Sequence, residues 1–133
     1  MPLRRRNFDV PGYRHGKNPI PAVARVGNVI MTGGISGVDL ATGLMPERLE
    51  EQCANMFDLV RKLAEAAGAS LDDIVKITVF MKPPIDRTAL NAAWVASFPD
   101  ATSRPVRHLL VNEHLASGML VQCDFVAVAP DQP

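Results

Sequence analysis

Apolar residues recur along this chain with two periods, and the switches between them predict its elements. The clearest helical period lies between about Pro46 and Ala67, where Leu49, Cys53, Met56, Phe57, Val60, Leu63, Ala64 and Ala67 fall on one face. Pro46 suits a first turn, Glu47, Glu50 and Glu51 place negative charge at the positive end of the helix, and Gly68 is a natural stop. Asp73 to Lys82 instead alternates with period two, sending Val75, Ile77, Val79 and Met81 to one side and Ile74, Lys76, Thr78 and Phe80 to the other. Pro83-Pro84 ends that strand. Asp86 then caps a second helix, with Leu90, Ala93, Trp94, Ser97 and Phe98 along one side. Shorter strands are predicted at Val23 to Val26 and Asn28 to Thr32 around a Gly27-Asn28 turn, followed by Gly33-Gly34 and an Asp39 to Gly43 loop. Val106 to Asn112 and Met119 to Val128 close the chain.

This order predicts an α+β fold, a mostly antiparallel sheet with two helices on one face. Residues 1 to 22 carry Pro2, Pro11, Pro19 and Pro21 and read as an arm that wraps or frays, residues 1 to 18 forming the N-terminal arm of a single domain over residues 1 to 133. The last strand is two-faced. Val121, Cys123, Phe125 and Ala127 suit the underside of the helices, while Leu120, Gln122, Asp124, Val126 and Val128 form a mixed face too aliphatic to leave in water. Two helices cover only one side of a sheet, so the mixed face is expected to pack against other subunits and to place its polar groups near a subunit boundary.

Composition narrows the function classes. At 133 residues with 47% hydrophobic and 21% charged content, the chain suits one globular domain. Fourteen basic and fourteen acidic side chains cancel, which removes any global attraction to nucleic acid or an anionic membrane. No apolar run is long enough to span a bilayer, and none follows Arg4-Arg5-Arg6 as a secretory signal requires. Two cysteines without redox or metal spacing fit a cytoplasmic protein with reduced thiols.

Standard catalytic constellations are absent from the pattern. His15, His108 and His114 have no metal-ligand spacing, Thr32-Gly33-Gly34 lacks the continuation of a phosphate loop, and no nucleophile elbow occurs. The residue that stands out is Arg107, in Pro105-Val106-Arg107-His108, which alternation places beside Leu109 and Val111. An arginine among aliphatic neighbours on a strand snorkels, pairs with an internal carboxylate or binds an external one.

From about Pro19 to Ala129 the chain resembles the YjgF/Rid superfamily, the reactive intermediate deaminases. The resemblance is carried by Arg25-Val26-Gly27-Asn28, Ile30-Met31-Thr32-Gly33-Gly34, Thr42-Gly43, the run from Ala66 to Phe80, Leu90-Asn91-Ala92-Ala93-Trp94, Pro105-Val106-Arg107 and Val121 to Val128, in that order and spacing. It implies a six-stranded sheet with two helices, chorismate-mutase-like, assembled as a trimeric barrel with clefts between subunits. It also implies cofactor-free, metal-free hydrolysis of small 2-imino or 2-enamino acids to 2-keto acids and ammonia. By motif, the arginine that clamps the substrate carboxylate is Arg107 and the helix asparagine is Asn91.

Several positions depart from the deaminase pattern. The glutamate that positions the attacking water reads Gln122, with Asp124 two residues on and on the same face. The serine ending the second strand reads Gly33, followed by Gly34. The N-terminal aromatic reads Ile20, and the aromatic near the second helix reads Arg87, a second positive charge at the cleft. Two classes of function follow: a deaminase using Gln122 or Asp124 at a site with Arg107, Asn91, Gly33, Gly34 and Arg87, or a non-catalytic homotrimer that binds a small carboxylate metabolite through Arg107. Ribonuclease activity, also attributed to this superfamily, ranks last for a neutral chain without paired catalytic bases.

Overall fold

The sequence signals translate into ten elements in a computed structural model that describes residues 4–131. They are β1 (Arg6–Phe8), β2 (Val23–Val26), β3 (Val29–Thr32), β4 (Ile35–Ser36), α1 (Leu49–Ala66), a short 3-10 turn (Leu71–Asp73), β5 (Ile74–Met81), α2 (Arg87–Ser97), β6 (Val106–Val111) and β7 (Val121–Val128). Gly27 takes φ 59° in the tight turn between β2 and β3, a conformation that costs glycine nothing and suits the twist of a hairpin. The sheet runs β1-β2-β3-β7-β5-β6, with β4 also paired to β7. Every pairing is antiparallel except β5 with β6, the pair connected through α2.

The sheet has seven strands where six are expected, and the two short ones explain the difference. Residues 6–8 of the arm pair with β2, Arg6 opposite Arg25, and so occupy an edge that would otherwise leave backbone groups open. Residues 1–3 of the predicted arm lie outside the described residues. After Thr32 the chain breaks at Gly33-Gly34 and resumes as β4, with Ile35 opposite Cys123. A second departure lies in β5. A bulge between Ile74 and Lys76 turns Ile74 into the core and leaves Val75 exposed, the reverse of strict alternation, because the extra residue shifts the side-chain phase by one. From Ile77 onward the predicted alternation holds.

Both helices cover one face. α1 packs on β4 and β7, and α2 packs on α1, where Phe57, Trp94 and Phe98 form an edge-on aromatic cluster. Cys53, Met56, Val60 and Leu63 of α1 are fully buried with Ile30, Ile77, Val79 and Phe125 of the sheet. Asp86 caps α2 as predicted, accepting from the amides of Thr88 and Ala89. Arg25 is also buried. Its guanidinium donates to the carbonyls of Ala67 and Gly27 and to Asn28 Oδ1, tying the end of α1 to the β2–β3 hairpin.

Gln52 sits in the buried stripe of α1 that the apolar pattern assigns to hydrophobic residues alone. Its amide donates to Pro46 O at 2.7 Å and Gly118 O at 3.1 Å, and accepts from Leu120 N at 2.8 Å. One side chain therefore pins two loops to the helix. Gln52→Leu is expected to lower stability by about 2–4 kcal/mol, because it strands a buried amide and two carbonyls. Urea unfolding measures this, and an unchanged midpoint would contradict the role.

The opposite face of the sheet has no helix over it. Val26, Val29, Met31, Val106, Leu110 and Val128 are exposed there, Met31 at 53% and Val106 at 63%. Among the described residues, no helix is long and apolar enough to cross a membrane.

Candidate functional site

The predicted site residues fall into two groups, on two sides of the sheet. The first group surrounds Arg107. Asn91, Trp94 and Val95 of α2, with Arg104 and Arg107, line an open groove of about 450 Å³. In α2 Asn91 is exposed and Trp94 buried, and three residues apart they lie on one side of the helix, so both reach the groove. Arg107 lies with its guanidinium 5.0 Å from the centroid of the Trp94 ring, a cation–π arrangement that fixes the fork without using its donors. Among the described residues it makes no hydrogen bond and no ion pair, unlike Arg25 or Arg104, whose donors go to backbone carbonyls. Partial burial, then the neighbouring charge of Arg87, pushes the Arg107 guanidinium below its ordinary value, yet it remains a cation. A fixed and unsatisfied fork in a groove has the donor geometry that an anion requires. Arg87 is exposed at the first position of α2, close enough for its charge to act on Arg107.

The second group surrounds Gly34. A cavity of about 540 Å³ is bounded by the arm at Tyr13 and His15, by Gly34 and Ser36, by Met45, and by Ser117, Met119 and Gln122. Gly34 is required here. A Cβ on it would stand 2.6 Å from Gln122 Nε2, so the glycine lets the amide lie against the backbone. The Gly34 carbonyl accepts twice, from Tyr13 Oη at 2.7 Å and from His15 Nε2 at 2.8 Å. Gly33 precedes it, its amide on Ala22 O. Met45 and Met119 stand beside the two loops that Gln52 pins, so the wall of this cavity depends on the buried glutamine.

Gln122 and Asp124 share the uncovered face, opposite Phe80 and Thr78 of β5. Arg107 is opposite Ile77, whose side chain is in the core beneath the helices. Arg107 and Gln122 therefore occupy opposite faces of one sheet, and one chain cannot bring both to the same small molecule. Asp124 lies outside the residues lining the Gly34 cavity.

Partial burial raises the Asp124 carboxyl above its ordinary value, against a smaller opposing pull from Lys76. A raised carboxyl favours the fold when protonated, and that contribution is lost as pH climbs from the unfolded value through the folded one. Asp124→Asn is expected to raise the melting temperature at neutral pH and to have no effect once the carboxyl is protonated in both states. A gain that is the same at every pH would contradict this origin.

The buried thiols take no part. Burial pushes Cys53 up to about 11 and Cys123 higher still, which holds both as thiols. Among the described residues no three His, Cys, Asp or Glu side chains converge as a metal site.

Sequence reasoning missed Tyr13 and His15. Both lie in the Pro- and Gly-rich arm, where no periodicity marks a side chain as pointing inward. They bring aromatic rings to the Gly34 cavity, which Ile20, the aligned departure from an aromatic, does not line.

Residues 18–129 match the endoribonuclease L-PSP family. The 2-iminobutanoate/2-iminopropanoate deaminase of Escherichia coli K12 is 33% identical over 104 residues, spanning 77% of this chain and 81% of that protein. A RutC family protein of Haemophilus influenzae is 34% identical over 112 residues, 83% and 86% of the two chains. In three dimensions the crystal structure of the E. coli YjgF gene product superposes with a TM-score of 0.85 at 28% identity, covering 94% of this chain and 99% of that one. The arrangement of two helices on a mostly antiparallel sheet thus has solved counterparts, and this chain belongs to the endoribonuclease L-PSP family, the YjgF/Rid proteins.

Proposed function

We propose that this protein hydrolyses small 2-imino or 2-enamino acids to 2-keto acids and ammonia, with no cofactor, in a cleft between the subunits of a homotrimer. The observation that carries the reading is the Arg107 guanidinium, held on Trp94 beside Asn91 with its donors unspent. A planar fork of this kind suits the carboxylate of such substrates. The deaminase name of the E. coli relative supports the reaction class.

The trimeric, chorismate-mutase-like barrel is part of the proposal. It would cover the exposed aliphatic side chains of the open sheet face, and it would bring Arg107 of one subunit toward Gln122 and Gly34 of the next, which one chain cannot do. Light scattering should give three times the 14.4 kDa chain mass. For the activity, 2-iminopropanoate generated in situ tests the reading directly. Ammonia release faster than the uncatalysed rate is expected, and no acceleration would leave the second reading, a trimer that binds a small carboxylate. That second reading is favoured by one observation, the amide of Gln122 where the deaminase pattern has a carboxylate.

Arg87 would tune the substrate class. Its charge acts on Arg107, and a second cation at the mouth of the cleft favours a substrate carrying a second carboxylate. Arg87→Phe should shift preference from dicarboxylates toward short apolar acids by roughly tenfold in relative affinity. An unchanged ranking of the two ligand classes would remove Arg87 from specificity.

A further inference from the structure

The Gly34 cavity holds water-sized space next to an amide, and it contains no carboxylate. The titratable groups that line it are Tyr13, Arg14 and His15, all on the arm. Gly34, Ser36, Met45, Ser117, Met119 and Gln122, which face His15 from the other elements, carry no charge. On the outer side of His15 the lining adds Asp9. The His15 ring is held in a defined state. Gly34 O can only accept, so His15 Nε2, 2.8 Å away, carries the proton and donates it. In the neutral ring Nδ1 is then the basic nitrogen, and it has no partner among the described residues. The ring is braced by Tyr13, edge-on with centroids 5.2 Å apart, whose hydroxyl donates to the same carbonyl. Burial raises the Tyr13 hydroxyl above its usual value, which keeps it a donor. An imidazole with one nitrogen tied to a carbonyl and the other free is the arrangement of a general base.

We propose that His15 is the general base of the imine hydrolysis, taking the place of the carboxylate that Gln122 replaces. The assignment rests on the deaminase reading above. Gln122 holds the attacking water through its amide, and His15 Nδ1 takes the proton. As the water oxygen bonds to the iminium carbon, the C=N π pair moves onto nitrogen and one water proton passes to Nδ1, leaving a neutral amino group on a carbinolamine. The imidazolium then returns that proton to the amino nitrogen. The C–N bond breaks with its pair on nitrogen, the hydroxyl loses its proton to imidazole, and the C=O bond of the keto acid forms. That last proton leaves with ammonia, so iminium acid and water give keto acid and ammonium.

The test is the rate of 2-iminopropanoate hydrolysis as a function of pH in the parent, His15→Asn, His15→Gln and His15→Asn/Gln122→Glu. The glutamine, whose Nε2 reaches the place of the imidazole Nε2, can still donate to Gly34 O, so in that variant the arm should stay docked. Losing a general base should lower kcat about 100-fold with little change in KM. The parent's kcat should also fall on acidification as the base is protonated, and both single variants should lack that limb. Gln122→Glu in the His15→Asn background should recover at least tenfold by supplying another base. A flat parental profile, which needs no variant to fold, would overturn the assignment, as would single variants within twofold of the parent or a limb that persists in them. If the parent is active and His15→Asn matches it, only His15 is excluded. If the parent does not accelerate the reaction, the deaminase reading and this assignment fall together.

Discussion

Arg107→Ala is expected to abolish measurable carboxylate binding while leaving the assembly mass unchanged. A bidentate, charge-assisted pair in a partly desolvated groove is worth about 2–5 kcal/mol when one partner is removed, a loss of roughly 30-fold or more in affinity. The fold should tolerate the change, because Arg107 holds no carbonyl or carboxylate of its own chain among the described residues. Its stacking on Trp94, 5.0 Å from the ring centroid, is worth only about 0.5–1 kcal/mol at a site this open. Arg107→Lys should recover part of the affinity, since an ammonium retains the charge but not the planar fork. Titration calorimetry with pyruvate or a dicarboxylate probe, beside a thermal melt, separates the outcomes. A large fall in melting temperature with undiminished binding would make Arg107 a structural residue.

Mixing two inactive variants is expected to restore activity. Arg107→Ala lacks the proposed clamp and Gln122→Ala the proposed water-holding group, and the two positions lie on opposite faces of the sheet. If each cleft takes Arg107 from one subunit and Gln122 from the next, every mixed trimer contains one intact cleft. Equal co-expression then yields about a quarter of the parental sites. Sites confined within single chains would give no recovery, because every chain in the mixture carries a lesion. This contrast in activity, from near zero to about a quarter, decides between the two geometries without a ligand-bound structure.

The mixing experiment also marks where the sequence stops being informative. Period-two alternation assigns Arg107 to one face of β6 and Gln122 to the other type of face on β7, and both assignments hold. Alternation along single strands does not say how those faces relate across the sheet. That depends on β5, which pairs with both, Ile77 opposite Arg107 and Phe80 opposite Gln122. The sequence therefore names the candidate residues and leaves open that they cannot meet within one chain.

The strongly periodic elements were legible because burial selects side chains at fixed spacing: the stripe of α1, the capped start of α2 and the two faces of β7 all follow from it. So did the family, through motifs in order from Arg25 to Val128. What lacked a period was decided only by tertiary contacts. The bulge at Val75 reversed two side chains because pairing with β7 slips by one residue there. Gln52 entered an apolar stripe because two loops needed its amide. Tyr13 and His15 came to the Gly34 carbonyl from an arm in which Pro11 and Gly12 impose no repeat. The chain encodes its helices and strands through local repetition, whereas the docking of the arm and the partition of the site between two faces arise from contacts between residues far apart in sequence, which no local pattern records.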